Sequence, residues 1–336
     1  MKEVFHIAVS CNERYVPGAL VALAGVAVHA RPETPLRFHV FTEGVKDESV
    51  ALMRATLKRL HPNGDFVQHV CDEDLLKGLP YWAGSRMAFV RCFYARLLPD
   101  VDWCLYLDCD ILYLCGVEEH FSYRREDALA VVVVEESEST RHVDVRWAAR
   151  DCGVELEESE YFNSGVMLFN FRKCREEGLP EKLAEFIGGH PHLPLADQSA
   201  LNVLLKDRVV FAPAKFDRLQ IYLTDERLAE RPVVHYVEGN PWLPTFGCVA
   251  NGRFRLWHRF ADRYIWQRPG ASCRRCFSRR ILMAKYVLYW ILRVPLLGRV
   301  FAETLQRLGL IVNAKAWCRN QVGSDISSWQ EIGNRV

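Results

Sequence analysis

The sequence predicts an α/β fold with a mostly parallel central sheet and helices on both faces, and two observations carry that reading. Strand-like and helix-like segments alternate through about the first 215 residues. The strand-like segments are near-continuous apolar runs, which is how strands buried on both faces of a parallel sheet look. In order, the first strand covers residues 4–10. A helix over 17–28 follows, with Pro17 at its first turn, where a missing N–H costs nothing. Strand 36–41, helix 48–60 and strand 66–70 continue the alternation. Apolar periodicity then predicts a helix over 87–98, feeding strand 103–107. Strands 129–134 and 165–169, a helix over 196–205 and strand 208–212 complete the series.

With 336 residues, half hydrophobic and a quarter charged, the chain can bury a large core. Its formal charge of +1 provides no general attraction to nucleic acid. Residues 1–10 run straight into a strand and show no secretory apolar core, and the 12 cysteines are scattered. Free thiols in a reducing cytoplasm are therefore expected. Cys273 and Cys276 form a CxxC with no second pair of metal ligands nearby.

The chain organises into a domain over 1–265, a helical segment over 266–322 and a polar tail over 323–336. Between 268 and 301 there are eight Lys/Arg and no Asp or Glu, and residues 286–292 between them are apolar and aromatic. That run is too short to span a bilayer. Basic residues flanking aromatic ones suit attachment to an anionic membrane surface, although a terminal helix packed on the main domain has the same pattern.

Neither a GxGxxG nor a GxxxxGK[ST] occurs, so no glycine cradle is available for phosphates. Instead, strand 103–107 ends in Asp108-Cys109-Asp110. Ligands of open α/β sheets gather at such strand ends. Carboxylates at i and i+2 point the same way along an extended chain and suit a hard divalent cation, usually one shared with substrate phosphates. A solvated turn is the competing reading of the pair taken alone.

Four further segments accompany this pair. Asn12-Glu13-Arg14-Tyr15 closes the first strand, and Tyr94-Ala95-Arg96-Leu97 precedes the acidic strand. Asn163-Ser164-Gly165 opens a later strand and is followed by Asp197-Gln198, and His235 stands ahead of Gly239-Asn240-Pro241-Trp242. With the acidic pair, this ordered set resembles the retaining nucleotide-sugar glycosyltransferases of family 8, which include glycogenin and lipopolysaccharide galactosyl- and glucosyltransferases. The resemblance covers about residues 4–242 and implies a GT-A fold. It implies that Asp108, Asp110 and His235 hold Mn²⁺, with Mg²⁺ an alternative. A UDP-hexose donor would lie against Asn12, Tyr15, Arg96, Cys109, Asn163, Ser164 and Gly239, with Asp197 and Gln198 as the catalytic pair at the sugar. The acceptor implied is a hydroxyl of a glycan or glycolipid, and the cysteines and the basic segment 268–301 place the protein in the cytoplasm, at the inner face of a membrane. Two positions depart from the family pattern. Asn12-Glu13 stands where an acidic pair is usual, and Asn240 replaces a lysine that reaches the diphosphate. A metal-dependent nucleotidyltransferase and a sugar-nucleotide-binding protein without turnover remain the alternative functions.

Overall fold

The computed structural model describes residues 3–82, 85–237, 239–242 and 254–267. The basic segment 268–301 and the tail 323–336 lie outside the described residues, as does nearly all of 266–322. Two compact units divide between His235 and Tyr236.

Among the described residues, the first unit is built on a seven-stranded sheet. Its strands are β1 (Phe5–Asn12), β2 (Leu36–Glu43), β3 (Gly64–Val70), β4 (Trp103–Leu107), β6 (Ala130–Val134), β7 (Phe162–Asn170) and β8 (Val209–Phe211). The order is β3-β2-β1-β4-β7-β6-β8. All neighbours are parallel except β7, which runs antiparallel to both β4 and β6. Every residue of β4 and β7 is buried, so the middle of the sheet is covered on both faces, as the apolar runs 103–107 and 165–169 require. β3 sits at the edge and is only half-buried.

The helix Val16–His29 is apolar almost all round, and eleven of its residues are buried. A helix of that kind belongs inside a core. Its Gly25 allows close approach, because a Cβ there would lie 2.5 Å from the backbone oxygen of Tyr113. The next helix, Asp47–Leu60, buries only the stripe of Val50, Met53, Thr56 and Leu57. Lys46 at its N-terminus has no capping side chain of its own. Glu13 supplies the acceptors instead, taking the Lys46 N–H at 3.0 Å and the Ser49 hydroxyl at 2.9 Å.

The segment expected as one helix over 87–98 is a 3-10 helix, Met87–Phe93, followed by a single α-turn, Tyr94–Leu97. Its side chains explain the tighter winding. Six of the seven residues in the 3-10 stretch are buried, and residues three apart share a face at three residues per turn. Arg91 and Tyr94 thus point together, Arg91 toward Ser164 and Tyr94 to a contact with the Ser10 hydroxyl.

A second, three-stranded sheet orders β5 (Ile111–Tyr113), β10 (Val233–His235) and β9 (Arg218–Leu219). β10 pairs antiparallel with β5, opposing His235 to Ile111, the residue after Asp110. Pieces of two or three residues carry no readable periodicity, and the sequence reading has no strand there.

Across the edge of the large sheet, His6, His39 and His69 form a diagonal on β1, β2 and β3. His6 Nδ1 lies 2.9 Å from His39 Nε2, and His39 Nδ1 lies 3.0 Å from His69 Nε2. In the second unit, Tyr236 packs edge-on to Phe254 and Trp242 lies against the fully buried Trp257 of the helix Arg255–Phe260.

Candidate active site

β4 delivers the acidic pair at its carboxyl end. The Asp108 N–H donates to Gly165 O at 2.8 Å, tying this turn to β7, and Cys109 Sγ donates to Ser10 O at 3.2 Å, tying it to β1. The β5–β10 pairing then brings His235 back, so that Asp108, Asp110 and His235 each offer a ligand atom within 4.8 Å of one another. His235 Nε2 is 3.4 Å from Asp110 Oδ1, and its Nδ1 is 3.0 Å from Asp217 Oδ1. Two carboxylate oxygens and one imidazole nitrogen form a donor set that fits a divalent ion such as Mn²⁺.

Gly165 makes room for the imidazole. A Cβ there would stand 2.3 Å from His235 Cε1, 2.9 Å from its Nδ1 and 3.0 Å from Asn163 Oδ1. Asn163 is held on both sides, its Oδ1 accepting from the Gly165 N–H at 2.7 Å and its amide donating to Glu135 at 2.6 Å.

Arg91 joins the metal pair to the Asp-Gln pair. Its guanidinium lies 2.9 Å from Asp108 Oδ1 and 2.8 Å from Asp197 Oδ2, donates to Ser164 O at 2.6 Å, and stacks 4.2 Å from the Tyr106 ring centre. Burial works against its charge, but Asp108 and Asp197 outweigh that and hold it protonated. Asp197 is fully buried, and burial pushes it up to about 7 against the pull of Arg91. The contact with Arg91 is close but lacks hydrogen-bond alignment, and the neighbouring Asp108 charge acts in the same direction as burial. Asp197 does not cap its own helix, because Ala196 is the N-cap residue, held at φ 53° and ψ −132°. Few residues other than glycine adopt such a conformation, and strain of this kind concentrates at functional sites.

Gln198 is oriented by a chain of hydrogen bonds. Asp144 is buried and accepts from Ser199 at 2.6 Å and from the Tyr161 hydroxyl at 2.7 Å. With its proton given to Asp144, Tyr161 accepts from the Gln198 amide at 3.0 Å. Gln198 Oε1 therefore faces β7, accepting from the Ser164 N–H at 3.0 Å and the Ser164 hydroxyl at 3.3 Å.

The structure thus brings together Asp108, Cys109, Asp110, Asn163, Ser164, Asp197, Gln198 and His235 in the first unit. Asn12 ends β1 with its Oδ1 buried and without a hydrogen-bond partner among the described residues, and the half-buried Tyr15 caps the helix Val16–His29. Gly239, at φ 137°, belongs to the second unit. Arg96 is exposed, its guanidinium 5.4 Å from the Phe93 ring, and it is Arg91 that reaches the carboxylates. Arg91, Asp217, Glu135 and Tyr161 escaped the sequence reading. Arg91 had a usable signal, a lone charge within the apolar run 87–95, where burial demands a carboxylate partner.

Known proteins resemble this chain in sequence and in fold. Residues 6–245 match the description of Glycosyl transferase family 8. The lipopolysaccharide 1,3-galactosyltransferase of Salmonella typhimurium is 28% identical over 255 residues, which are 71% of this chain and 73% of the relative. A lipopolysaccharide 1,2-glucosyltransferase of Escherichia coli is 25% identical over 244 residues, 70% and 68% of the two chains. Among solved structures, the galactosyltransferase LgtC, crystallised with donor and acceptor sugar analogues, superposes with a TM-score of 0.62 at 24% identity. That superposition covers 77% of this chain and 96% of LgtC and supports the GT-A fold. With its family match spanning most of the sequence and its acidic pair, buried arginine and Asp-Gln pair gathered at one strand end, the chain belongs to glycosyl transferase family 8 and is a glycosyltransferase.

Proposed function

We propose that the protein transfers a hexose, galactose or glucose, from a UDP-sugar to a hydroxyl of a glycan or glycolipid, with retention of configuration and dependence on Mn²⁺. The observation that carries this reading is the convergence of Asp108, Asp110 and His235 within 4.8 Å beside Asp197 and Gln198. Asp108, Asp110 and His235 would hold the cation, whose chemistry when bound is to neutralise charge on the departing diphosphate. Arg91 fixes Asp108 and Asp197 relative to each other. Asp197, poised by burial between its charged and neutral forms, can exchange hydrogen bonds with a sugar hydroxyl.

Gln198 supports a same-face transfer. Its amide oxygen already receives two hydrogen bonds from Ser164, which leaves it a poor nucleophile. In that route the departing phosphate oxygen takes the acceptor's proton as the acceptor oxygen bonds to the anomeric carbon. Asn12, Tyr15, Arg96, Cys109, Asn163 and Ser164 would line the donor, and the buried Asn12 Oδ1, without a hydrogen-bond partner among the described residues, would face a base edge. The galactosyl- and glucosyltransferase relatives support a hexosyl donor and a lipid-linked acceptor. The basic segment 268–301 would hold the protein against an anionic membrane on its cytoplasmic side. No helix among the described residues is long and apolar enough to cross a membrane.

The test is UDP release from a panel of nucleotide sugars without acceptor, in Mn²⁺ or EDTA. Manganese-dependent release from UDP-galactose or UDP-glucose is expected. Asp108→Asn should lower it by at least about 10²-fold with the fold intact. Pyrophosphate in place of UDP would indicate nucleotidyl transfer, and nucleotide binding without turnover would indicate a binding protein.

A further inference from the structure

Asp217 stands outside every motif of the sequence reading, yet it is fully buried. It follows the 3-10 turn Ala214–Phe216 and directly precedes β9. Its Oδ1 lies 3.0 Å from His235 Nδ1, while Oδ2 is buried with no hydrogen-bond partner among the described residues. A carboxylate kept in the core to tie down a loop gathers several backbone N–H groups. Among the described residues this one accepts a single hydrogen bond, and it comes from an imidazole.

The strand register puts it there. β9 and β10 are parallel, with Leu219 opposite His235. Asp217 is two residues before Leu219, so it shares the face of the small sheet on which His235 stands. An ionised carboxylate only accepts, so His235 Nδ1 carries a proton, and in the neutral ring that a cation requires the lone pair falls on Nε2. That atom is the one 3.4 Å from Asp110. Gly165 closes off the other side of the ring, since His235 Cε1 occupies the space a Cβ at that position would need.

We propose that Asp217 is a positioning residue, whose carboxylate holds His235 in its Nδ1–H form and turns Nε2 toward Asp108 and Asp110, where a divalent cation is held. The inference rests on the metal reading above and deepens it. Partners of metal-binding histidines act in this way, fixing the tautomer and raising the basicity of the ligating nitrogen.

Two readouts on the full-length chain test it. In protein labelled with ¹⁵N-histidine, a downfield Nδ1–H resonance should be present in the wild type and absent from His235→Asn, which assigns it. Mn²⁺ binding is followed through the free-ion EPR signal with UDP present. Asp217→Leu should lose the resonance and bind Mn²⁺ about 10- to 100-fold more weakly. Asp217→Asn keeps an acceptor in the same place, and should keep the resonance and most of the affinity. Wild-type Mn²⁺ affinity in Asp217→Leu would overturn the role of Asp217 while leaving the metal site standing. A wild type that binds no Mn²⁺ would remove the metal reading and this one with it. Should Asp217→Leu fail to fold, the other proteins still decide, because a wild type or an Asp217→Asn without the Nδ1–H resonance overturns the proposal.

Discussion

Arg91 faces the buried Asp197 and the half-buried Asp108 at once, and its loss would leave both without their cation. Removing one partner of a buried ion pair costs about 3–5 kcal/mol, because the remaining charge stays desolvated. Arg91→Met should therefore lower unfolding stability by about that amount in urea titrations without metal. Added Mn²⁺ should restore part of it, since a second cation then faces Asp108. Gly165 makes a different demand, for space alone. Gly165→Ala pushes a methyl group into the imidazole of His235, and donor hydrolysis should fall at least about tenfold while thermal unfolding stays cooperative. A variant with wild-type turnover would show that the ring has room to retreat.

At the scale of elements, the diagonal of histidines links three neighbouring parallel strands through hydrogen bonds between uncharged rings. Burial pushes His6 down to about 4, with Arg37 adding to the effect and Asp102 opposing it. Burial, the two neighbouring imidazoles and Arg37 push His39 down to about 3, and burial lowers His69 as well. An unfolded histidine takes its proton near pH 6.5, so the unfolded chain binds protons first as the pH falls. The stability these rings contribute is complete above pH 6.5 and drains away as the pH drops toward 4 and then 3. Urea midpoints measured from pH 7 to pH 4.5 should fall, and His39→Gln should fall less steeply. The elements also show what a sequence makes legible. β1, β2, β4 and β7 each contain a mostly apolar stretch and could be read directly, as could the acidic pair at the end of β4. The 3-10 winding of Met87–Phe93 could not, because its residues fit an apolar helical pattern until the burial of Arg91 is known. The small sheet was invisible, with strands too short to show a period, and so were the contacts it makes between Asp217, His235 and Asp110. His235 could be singled out only through the family resemblance, since nothing near it in sequence marks it as a ligand.

For the whole molecule, formal charge is nearly balanced, so any attraction to a membrane must come from where the charges sit. The full chain should co-sediment with vesicles containing phosphatidylglycerol and not with phosphatidylcholine alone. Reversing Arg279 and Arg280 to Glu should weaken that binding by at least about 30-fold, each lost cation being worth about 1 kcal/mol near the surface. Raising the salt should release the wild type, as screening requires. The pairing of β5 with β10 bears on the molecule's history as well as its chemistry. Asp110 and His235 meet across more than a hundred residues of intervening chain. Synthesis proceeds at about 5–20 residues per second, so the acidic pair emerges from a ribosome several seconds before its histidine. On the proposed metal reading, a growing or truncated chain that stops short of β10 carries the two aspartates without their partner and should not yet waste sugar nucleotides on water.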